Sequence, residues 1–259
     1  MTQVGVAVQE CSVNGPEEVL RAVRGRSTPV VLRGAVCDWP MVEAGLKGSA
    51  ATLEYLRQHA AAVQVTASVG LDGQEGRIFY TPDLGQLNFS SVRTTLAEFL
   101  SRLESQNVDA NAAALYLGSA ILEQVLPEVA LANSLLMDDA RKTVRIWIGN
   151  RTTVAAHYDT LDNLAAVVAG RRRFTLFPPD QLPNLYVGPL DFTPAGQAVS
   201  LVDLERPDFE HFPRFAEALA QAQSAELSPG DVIYIPSMWW HHVQGVDPLN
   251  VLVNHWWRD

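Results

Sequence analysis

Apolar residues in the second half of the chain occur in short, closely spaced runs rather than at helical intervals. From residue 143 onward the runs are rich in β-branched and aromatic residues, and turn signals such as Ser-Pro-Gly-Asp at 228–231 separate them. Many short strands with few long helices predict an all-β sandwich or barrel, and a double-sheet jelly roll fits best. The predicted strands lie within 143–150, 152–159, 163–170, 172–179, 231–236, 240–246 and 250–257.

The first half mixes helical and strand patterns. The segment 16–25 opens with a proline and two acids, spaces its apolar residues as a helix does, and closes on glycine. Pro127 should end any helix that reaches it. Helices are predicted at 16–25, 51–60 and 94–103, and strands at 28–36, 63–68 and 114–120.

Composition indicates a folded chain with a substantial core, since 47% of the residues are hydrophobic and 19% are charged. No internal repeat or long linker separates the two halves. We therefore predict one domain over residues 1–259, in which 1–140 form an α+β flanking part and 141–259 form the β core.

Charge and cysteine content restrict the classes of partner and compartment. The chain has 19 basic and 29 acidic residues, and its net charge of −10 opposes attraction to a nucleic-acid backbone without excluding a locally basic groove. Cys11 and Cys37 form no paired motif, so free thiols in a reducing cytoplasm are expected. We find neither an export signal nor an apolar stretch of about 18 residues, and therefore expect no membrane span.

The candidate chemistry begins with His157 and Asp159, which stand two residues apart in a predicted strand. Alternate side chains of a strand share a face, so both point into the same space. A third ligand from a neighbouring strand, for which His241 is the candidate, would complete the two imidazoles and one carboxylate that bind non-haem Fe(II). By itself, a His-Xaa-Asp pair is weak evidence for a metal.

Further polar residues lie near this pair. Arg171, Arg172 and Arg173 follow one strand downstream, and alternation lets Arg172 face opposite to its neighbours. An inward guanidinium would bind a carboxylate through two hydrogen bonds, although spacing alone favours a solvated turn. Asn163 and Asn254 interrupt apolar strands, and each is either a structural hydrogen-bonding residue or a contact to a bound molecule.

Longer segments resemble the cupin-like (JmjC-type) Fe(II)/2-oxoglutarate oxygenases, and in motif they are closest to the asparaginyl hydroxylase that inhibits hypoxia-inducible factor. The similarity covers nearly the whole chain in the same order. It implies a double-stranded β-helix, the jelly-roll or cupin fold, with N-terminal helices packed outside it. The segments that carry it are 28–40, 77–80, 115–121, 126–128, 157–182, 228–244 and 251–257.

The resemblance implies that His157, Asp159 and His241 ligate the iron. In the family's WWHH-type segment the first histidine is the ligand, so His242 should lie on the other face of its strand, in agreement with alternation. His59, His211 and His255 have no partner at ligand spacing and are expected in ordinary core or surface roles.

The resemblance also implies a co-substrate site. Arg172 occupies the position where the family usually has a lysine for the distal carboxylate of 2-oxoglutarate, and Tyr116 matches a tyrosine that helps to hold it. Asn163 and Asn254 match polar residues near the other end of the co-substrate. Trp256 matches an aromatic residue beside the iron, although plain packing explains it equally well.

Two departures from the family pattern concern the pocket. Arginine replaces lysine at 172, which keeps the charge but is longer and forked. Val154 stands three residues before the first histidine, where the asparaginyl hydroxylase has a threonine. The chain also ends at Asp259, without the C-terminal helices through which relatives often dimerise, so a homodimer would need another surface.

The resulting expectation is a cytoplasmic dioxygenase that uses Fe(II), 2-oxoglutarate and O₂ to hydroxylate an unactivated C–H bond. A protein or peptide side chain is preferred as substrate, because the resemblance is strongest to such an enzyme and the acidic chain suits a protein better than RNA. Hydroxylation of a tRNA base or a small molecule is the second enzyme hypothesis. A metal-binding cupin without oxygenase activity is the alternative from another class.

Overall fold

The computed structural model describes residues 5–13, 15–71, 76–106, 113–135 and 142–258. Fifteen strands form two sheets in this part of the chain, and short helices lie outside them. The predicted mainly β, two-sheet architecture with N-terminal helices is confirmed. Within the described ranges, no helix is long and apolar enough to cross a membrane.

The helices belong mostly to the first half. They are α1 (Pro16–Val23), α2 (Pro40–Leu46), α3 (Ser49–Gln58), α4 (Leu96–Gln106), α5 (Leu122–Val125) and α6 (Phe215–Ala220), with 3₁₀ turns at Leu131–Asn133 and Pro179–Asn184.

The strands continue through the whole chain. They are β1 (Val6–Ala7), β2 (Glu10–Ser12), β3 (Val30–Arg33), β4 (Gln64–Gly70), β5 (Arg77–Ile78), β6 (Phe89–Thr95), β7 (Leu115–Ile121), β8 (Thr143–Gly149), β9 (Thr153–Tyr158), β10 (Asp162–Ala169), β11 (Arg172–Phe177), β12 (Gln223–Leu227), β13 (Val232–Ile235), β14 (Trp240–Gly245) and β15 (Asn250–Trp257).

The smaller sheet has the strand order β1-β12-β11-β14-β9-β5, and the larger has the order β2-β3-β13-β10-β15-β8-β7-β4-β6. The second half supplies the antiparallel centre of both sheets. Strands from the first half extend the edges: β1 and β5 join the smaller sheet, while β2-β3 and β7-β4-β6 join the larger. Each sheet thus combines both halves of the chain.

The strand β10 is buried on both faces, which explains its uninterrupted apolar run. Leu164, Ala166 and Val168 pack into the core cluster that includes the helices. Ala165 and Val167 pack into the cluster between the two sheets, which also contains Phe174 of β11. The helices therefore pack against the outer face of the larger sheet, and the smaller sheet packs against its inner face.

Several elements differ from the sequence prediction, among them the strands β1, β2, β6 and β12, which it did not include. The helix predicted at 94–103 begins at Leu96, because Thr94 and Thr95 end the strand β6. The helix α2 was not predicted. It lies so close to β10 that a Cβ on Gly45 would be 2.0 Å from the carbonyl oxygen of Val168, and only glycine permits that approach.

Candidate active site

The three predicted metal ligands come together on two adjacent strands of the smaller sheet. In the β9–β14 pair His157 is directly opposite His241, with ring centroids 4.2 Å apart. Asp159 follows the end of β9, and its Oδ2 is 3.6 Å from Nε2 of His241. One potential ligand atom from each residue lies within 4.8 Å of the others. The arrangement is a compact group of two imidazoles and one carboxylate.

The backbone orients both imidazoles in the same way. Nδ1 of His157 is 2.9 Å from the carbonyl oxygen of Ala155, and Nδ1 of His241 is 3.1 Å from that of Trp239. A carbonyl can only accept, so Nδ1 of each ring carries a proton, and Nε2 is the atom left to bind a metal. Burial, followed by the charge of His157, lowers the pKa of His241 to about 4. The ring is therefore neutral at physiological pH, as a metal ligand must be.

His242 lies on the opposite side of β14 from the cavity. His241 and Val243 line the cavity wall, whereas His242 is buried elsewhere and is paired in register with Thr175 of β11. Burial, followed by the positive charge of Arg77, lowers its pKa to about 3. The structure thus places the two adjacent histidines as strand alternation predicts.

A cavity of about 540 Å³ lies between the two sheets and reaches the three residues. Strands β5, β9, β11 and β14 line it from the smaller sheet, and β4, β7, β8, β10, β13 and β15 line it from the larger. All five residues predicted for the co-substrate also line this cavity: Tyr116, Asn163, Arg172, Asn254 and Trp256.

Arg172 is the central charged group of the cavity wall. Its side chain is only 3% exposed, whereas Arg171 and Arg173 form surface ion pairs with Asp247 at 2.8 Å and Glu226 at 3.0 Å. The guanidinium lies beside the hydroxyl of Tyr116, and this contact partly offsets the effect of burial on the pKa of both groups. Burial lowers the pKa of Arg172 and raises that of Tyr116.

Two further donors of Arg172 are buried and unused. Its Nε and Nη2 have no hydrogen-bond partner in the part of the chain that the structure describes. Buried polar groups normally have partners, and an unpaired buried charge is costly. These N–H groups fit a carboxylate, which accepts parallel hydrogen bonds from a guanidinium.

Asn163 and Asn254 contact each other from the adjacent strands β10 and β15 of the larger sheet. Nδ2 of Asn254 donates to Oδ1 of Asn163 at 2.7 Å, while Oδ1 of Asn254 has no partner within the described ranges. Trp256 is half-buried and packs edge-on against Trp147, with ring centroids 5.9 Å apart. The asparagine pair is therefore structural on one side and leaves one acceptor for a bound molecule on the other.

Arg145, Trp147 and Gln197 are among the cavity-lining residues that sequence reasoning missed. Arg145 and Trp147 lie two apart in β8, and the alternation that placed His157 could have identified them. Gln197 comes from the irregular segment after β11, where no periodicity exists. Its Nε2 donates to Oδ1 of Asp159 at 3.3 Å.

The remaining histidines contact protein groups away from this cavity. Nδ1 of His59 is 2.8 Å from the carbonyl oxygen of Tyr55, and His211 pairs with Asp208 at the surface. His255 is fully buried, and its Nε2 accepts a hydrogen bond from the backbone N–H of Leu135.

Comparison with known proteins gives a family match over most of the chain: the model of the cupin-like domain matches residues 16–259. Lysine-specific demethylase JMJ31 of Arabidopsis thaliana is 33% identical over 141 residues, and HSPB1-associated protein 1 of Homo sapiens is 36% identical over 113 residues. Lysine-specific demethylase 8 of Xenopus tropicalis is 29% identical over 239 residues. The alignments cover 53%, 43% and 88% of this chain but only 25%, 22% and 48% of these relatives.

Proposed function

The chain belongs to the cupin-like (JmjC-type) domain family, and from that premise we propose that it is an Fe(II)- and 2-oxoglutarate-dependent oxygenase. The observation that carries the proposal is the buried Arg172, whose Nε and Nη2 are unpaired within the described chain, in the same cavity as the His157–Asp159–His241 group. A protein that only bound a metal would have no use for this cation, whereas a dicarboxylate would neutralise it.

The residues present fit both groups. His157, Asp159 and His241 would hold Fe(II), for which two imidazoles and one carboxylate with open positions are the typical donor set. Arg172 and Tyr116 would hold the distal carboxylate of 2-oxoglutarate, and Asn254 and Trp256 would contact it nearer the metal. When bound, Fe(II), 2-oxoglutarate and O₂ would supply the oxidation of a substrate C–H bond, with succinate and CO₂ as co-products.

The same cavity bears on the choice between hydroxylation and demethylation. Arg145 lines it and donates through Nη1 to the carbonyl oxygen of Ser119 at 2.7 Å, and no described carboxylate lies within ion-pair distance. Asp159 is the one carboxylate among the lining residues of the described chain, and it belongs to the metal group. The positive charge of Arg145 disfavours the cationic ammonium of a methylated lysine, so we propose hydroxylation of an uncharged or acidic side chain.

A polypeptide substrate is supported by the surface beside the cavity. Leu190 is 77% exposed and Phe192 is 40% exposed, and both lie just before Pro194 and Ala195, which line the cavity. Neighbouring exposed apolar side chains are typical of sites that contact another protein. The net charge of −10 disfavours an RNA substrate.

The first experiment is calorimetric titration of 2-oxoglutarate into the Zn(II)-loaded protein, with Arg172→Ala as the test variant and Arg171→Ala as the matched surface control. Binding to the wild type and to Arg171→Ala, but not to Arg172→Ala, supports the proposal. Tight metal binding with no affinity for 2-oxoglutarate in the wild type would assign a metal-binding cupin instead.

The substrate class is tested with Fe(II), 2-oxoglutarate and peptide libraries analysed by mass spectrometry. Gain of one oxygen atom on an unmethylated side chain is the expected result. Loss of a methyl group from methyl-lysine peptides, with no oxygen gained elsewhere, would show that the charge argument from Arg145 is wrong.

A further inference from the structure

The two oxygens of the Asp159 carboxylate face different neighbours. Its Oδ2 faces Nε2 of His241 at 3.6 Å, while its Oδ1 accepts a hydrogen bond from Nε2 of Gln197 at 3.3 Å. We infer that Gln197 is a positioning residue, which keeps Oδ2 of Asp159 directed at the metal by binding Oδ1. The inference rests on the proposed function, because it assigns Asp159 as a metal ligand.

Gln197 belongs to a segment, residues 192–203, that we call the strap. The strap runs beside β9 at the level of the metal group: Val199 forms a β-bridge with His157, and the N–H of Ser200 donates to the carbonyl oxygen of Ala156 at 2.7 Å. Ala198, Val199 and Ser200 are all buried. The strap is thus fixed to the same strand that carries His157.

Both ends of the strap are attached to the chain around β5. The hydroxyl of Tyr80 donates to the carbonyl oxygen of Phe192 at 2.6 Å, and Arg77 pairs with Asp203 at 3.5 Å. Between these ends, Gly196 has φ +99°, which favours glycine, and its N–H donates to Oγ1 of Thr193 at 2.8 Å. This turn sets the position of the backbone at the next residue, Gln197.

A ligating carboxylate with one free oxygen can rotate about its Cβ–Cγ bond and lose its orientation toward the metal. A hydrogen bond to the second oxygen restricts that rotation, and removing such partners typically weakens metal binding by about 10- to 100-fold. Because the strap is attached at both ends, Gln197 offers its amide N–H without first having to become ordered. Its effect should therefore lie in this range.

The test measures Co(II) binding by visible spectroscopy, without 2-oxoglutarate or turnover. Gln197→Met keeps the length of the side chain but has no donor, Gln197→Ala also removes its volume, and Gln221→Ala is the matched control, since Gln221 is exposed at the end of α6. We expect a loss of Co(II) affinity of about 10-fold or more in both Gln197 variants. We also expect a changed d–d spectrum, because the second oxygen of Asp159 becomes free to approach the metal.

Thermal unfolding of each apoprotein checks that the variants are folded, and Gln197→Met is the decisive one because it conserves packing. If Gln197→Met binds Co(II) within twofold of the wild type and with the same spectrum, the positioning role is refuted while the proposed function stands. If the wild type itself binds no Co(II), the metal site fails, and with it both the proposed function and this inference.

Discussion

Replacing Arg172 with methionine should change ligand affinity and folding stability in opposite directions. The side chain is 3% exposed, lies beside Tyr116, and keeps Nε and Nη2 unpaired within the described structure. Methionine has a similar length and no charge, so it fills the space while removing every donor. In the unliganded protein the substitution removes a buried positive charge. In the liganded protein it removes the group that would bind the carboxylate.

The effect on affinity follows from the two unused N–H groups. A hydrogen bond to a charged group contributes about 1.5–3 kcal/mol, so two such bonds at the lower end contribute about 3 kcal/mol. That energy corresponds to roughly a 100-fold increase in the Kd for 2-oxoglutarate, or somewhat more. Arg172→Lys keeps the charge but loses the fork, and we expect it to lose about 10-fold.

The effect on stability has the opposite sign. Replacing buried charged groups with apolar residues of similar size is often neutral or stabilising by about 1–4 kcal/mol. The buried hydroxyl of Tyr116 would lose its charged neighbour, and leaving it without a partner costs about 1–3 kcal/mol, so Arg172→Met combined with Tyr116→Phe should show the full gain.

Urea unfolding of the metal-free proteins measures stability, and calorimetry of 2-oxoglutarate with Zn(II) measures affinity; Arg171→Met is the control for both. The reasoning is refuted if Arg172→Met binds 2-oxoglutarate like the wild type. It is equally refuted if the double variant is less stable than the wild type by more than about 2 kcal/mol.

Three other perturbations test separate parts of the molecule. Asp159→Ala should reduce Fe(II)-dependent formation of succinate by at least about 100-fold, because it removes one ligand and its charge; unchanged turnover would contradict the site. Burial lowers the pKa of His255 to about 3 from its ordinary 6.5. Between these pH values the unfolded chain binds a proton at this histidine that the folded chain does not bind. The free energy of unfolding should therefore fall by about 1.4 kcal/mol per pH unit as the pH drops from 6.5 toward 3. His255→Gln, which can still accept from Leu135, should show a shallower slope in urea unfolding between pH 7 and 4.5, and an identical slope would exclude this histidine. Gly45→Ala should destabilise by about 1–3 kcal/mol, because its Cβ would meet a β10 carbonyl, whereas truncating the exposed Leu46 should change stability by less than about 0.5 kcal/mol.

The sequence predicted the strands of the second half except β12, because their apolar runs are local signals and β10 needs apolar residues on both faces. The prediction failed in segments whose apolar residues follow no helical or strand period. The strand β6 has a largely exposed, polar face, so its end was assigned to a helix. The strap around Gln197 is irregular, and its contact with Asp159 joins residues that are 38 positions apart in the chain.

The two parts of the cavity that we propose for the metal and for the co-substrate differ in how directly the sequence encodes them. Each candidate histidine ligand is oriented by a carbonyl two residues earlier in its own strand, Ala155 for His157 and Trp239 for His241. That orientation follows from extended backbone, so spacing and alternation are enough to predict it. No comparable local rule places a guanidinium from one sheet against a hydroxyl from the other.

The surroundings of Arg172 therefore depend on how the two sheets pack against each other, which the local sequence pattern does not show. Arginine has five N–H donors in a planar fork, so it can donate to Tyr116 and still present Nε and Nη2 to a carboxylate. A lysine beside the same hydroxyl would have a single nitrogen with which to contact both Tyr116 and the carboxylate. Under the proposed function, an arginine where the resemblance implies a lysine would keep a cation for the carboxylate, and it also lies against Tyr116, so that β11 of the smaller sheet meets β7 of the larger.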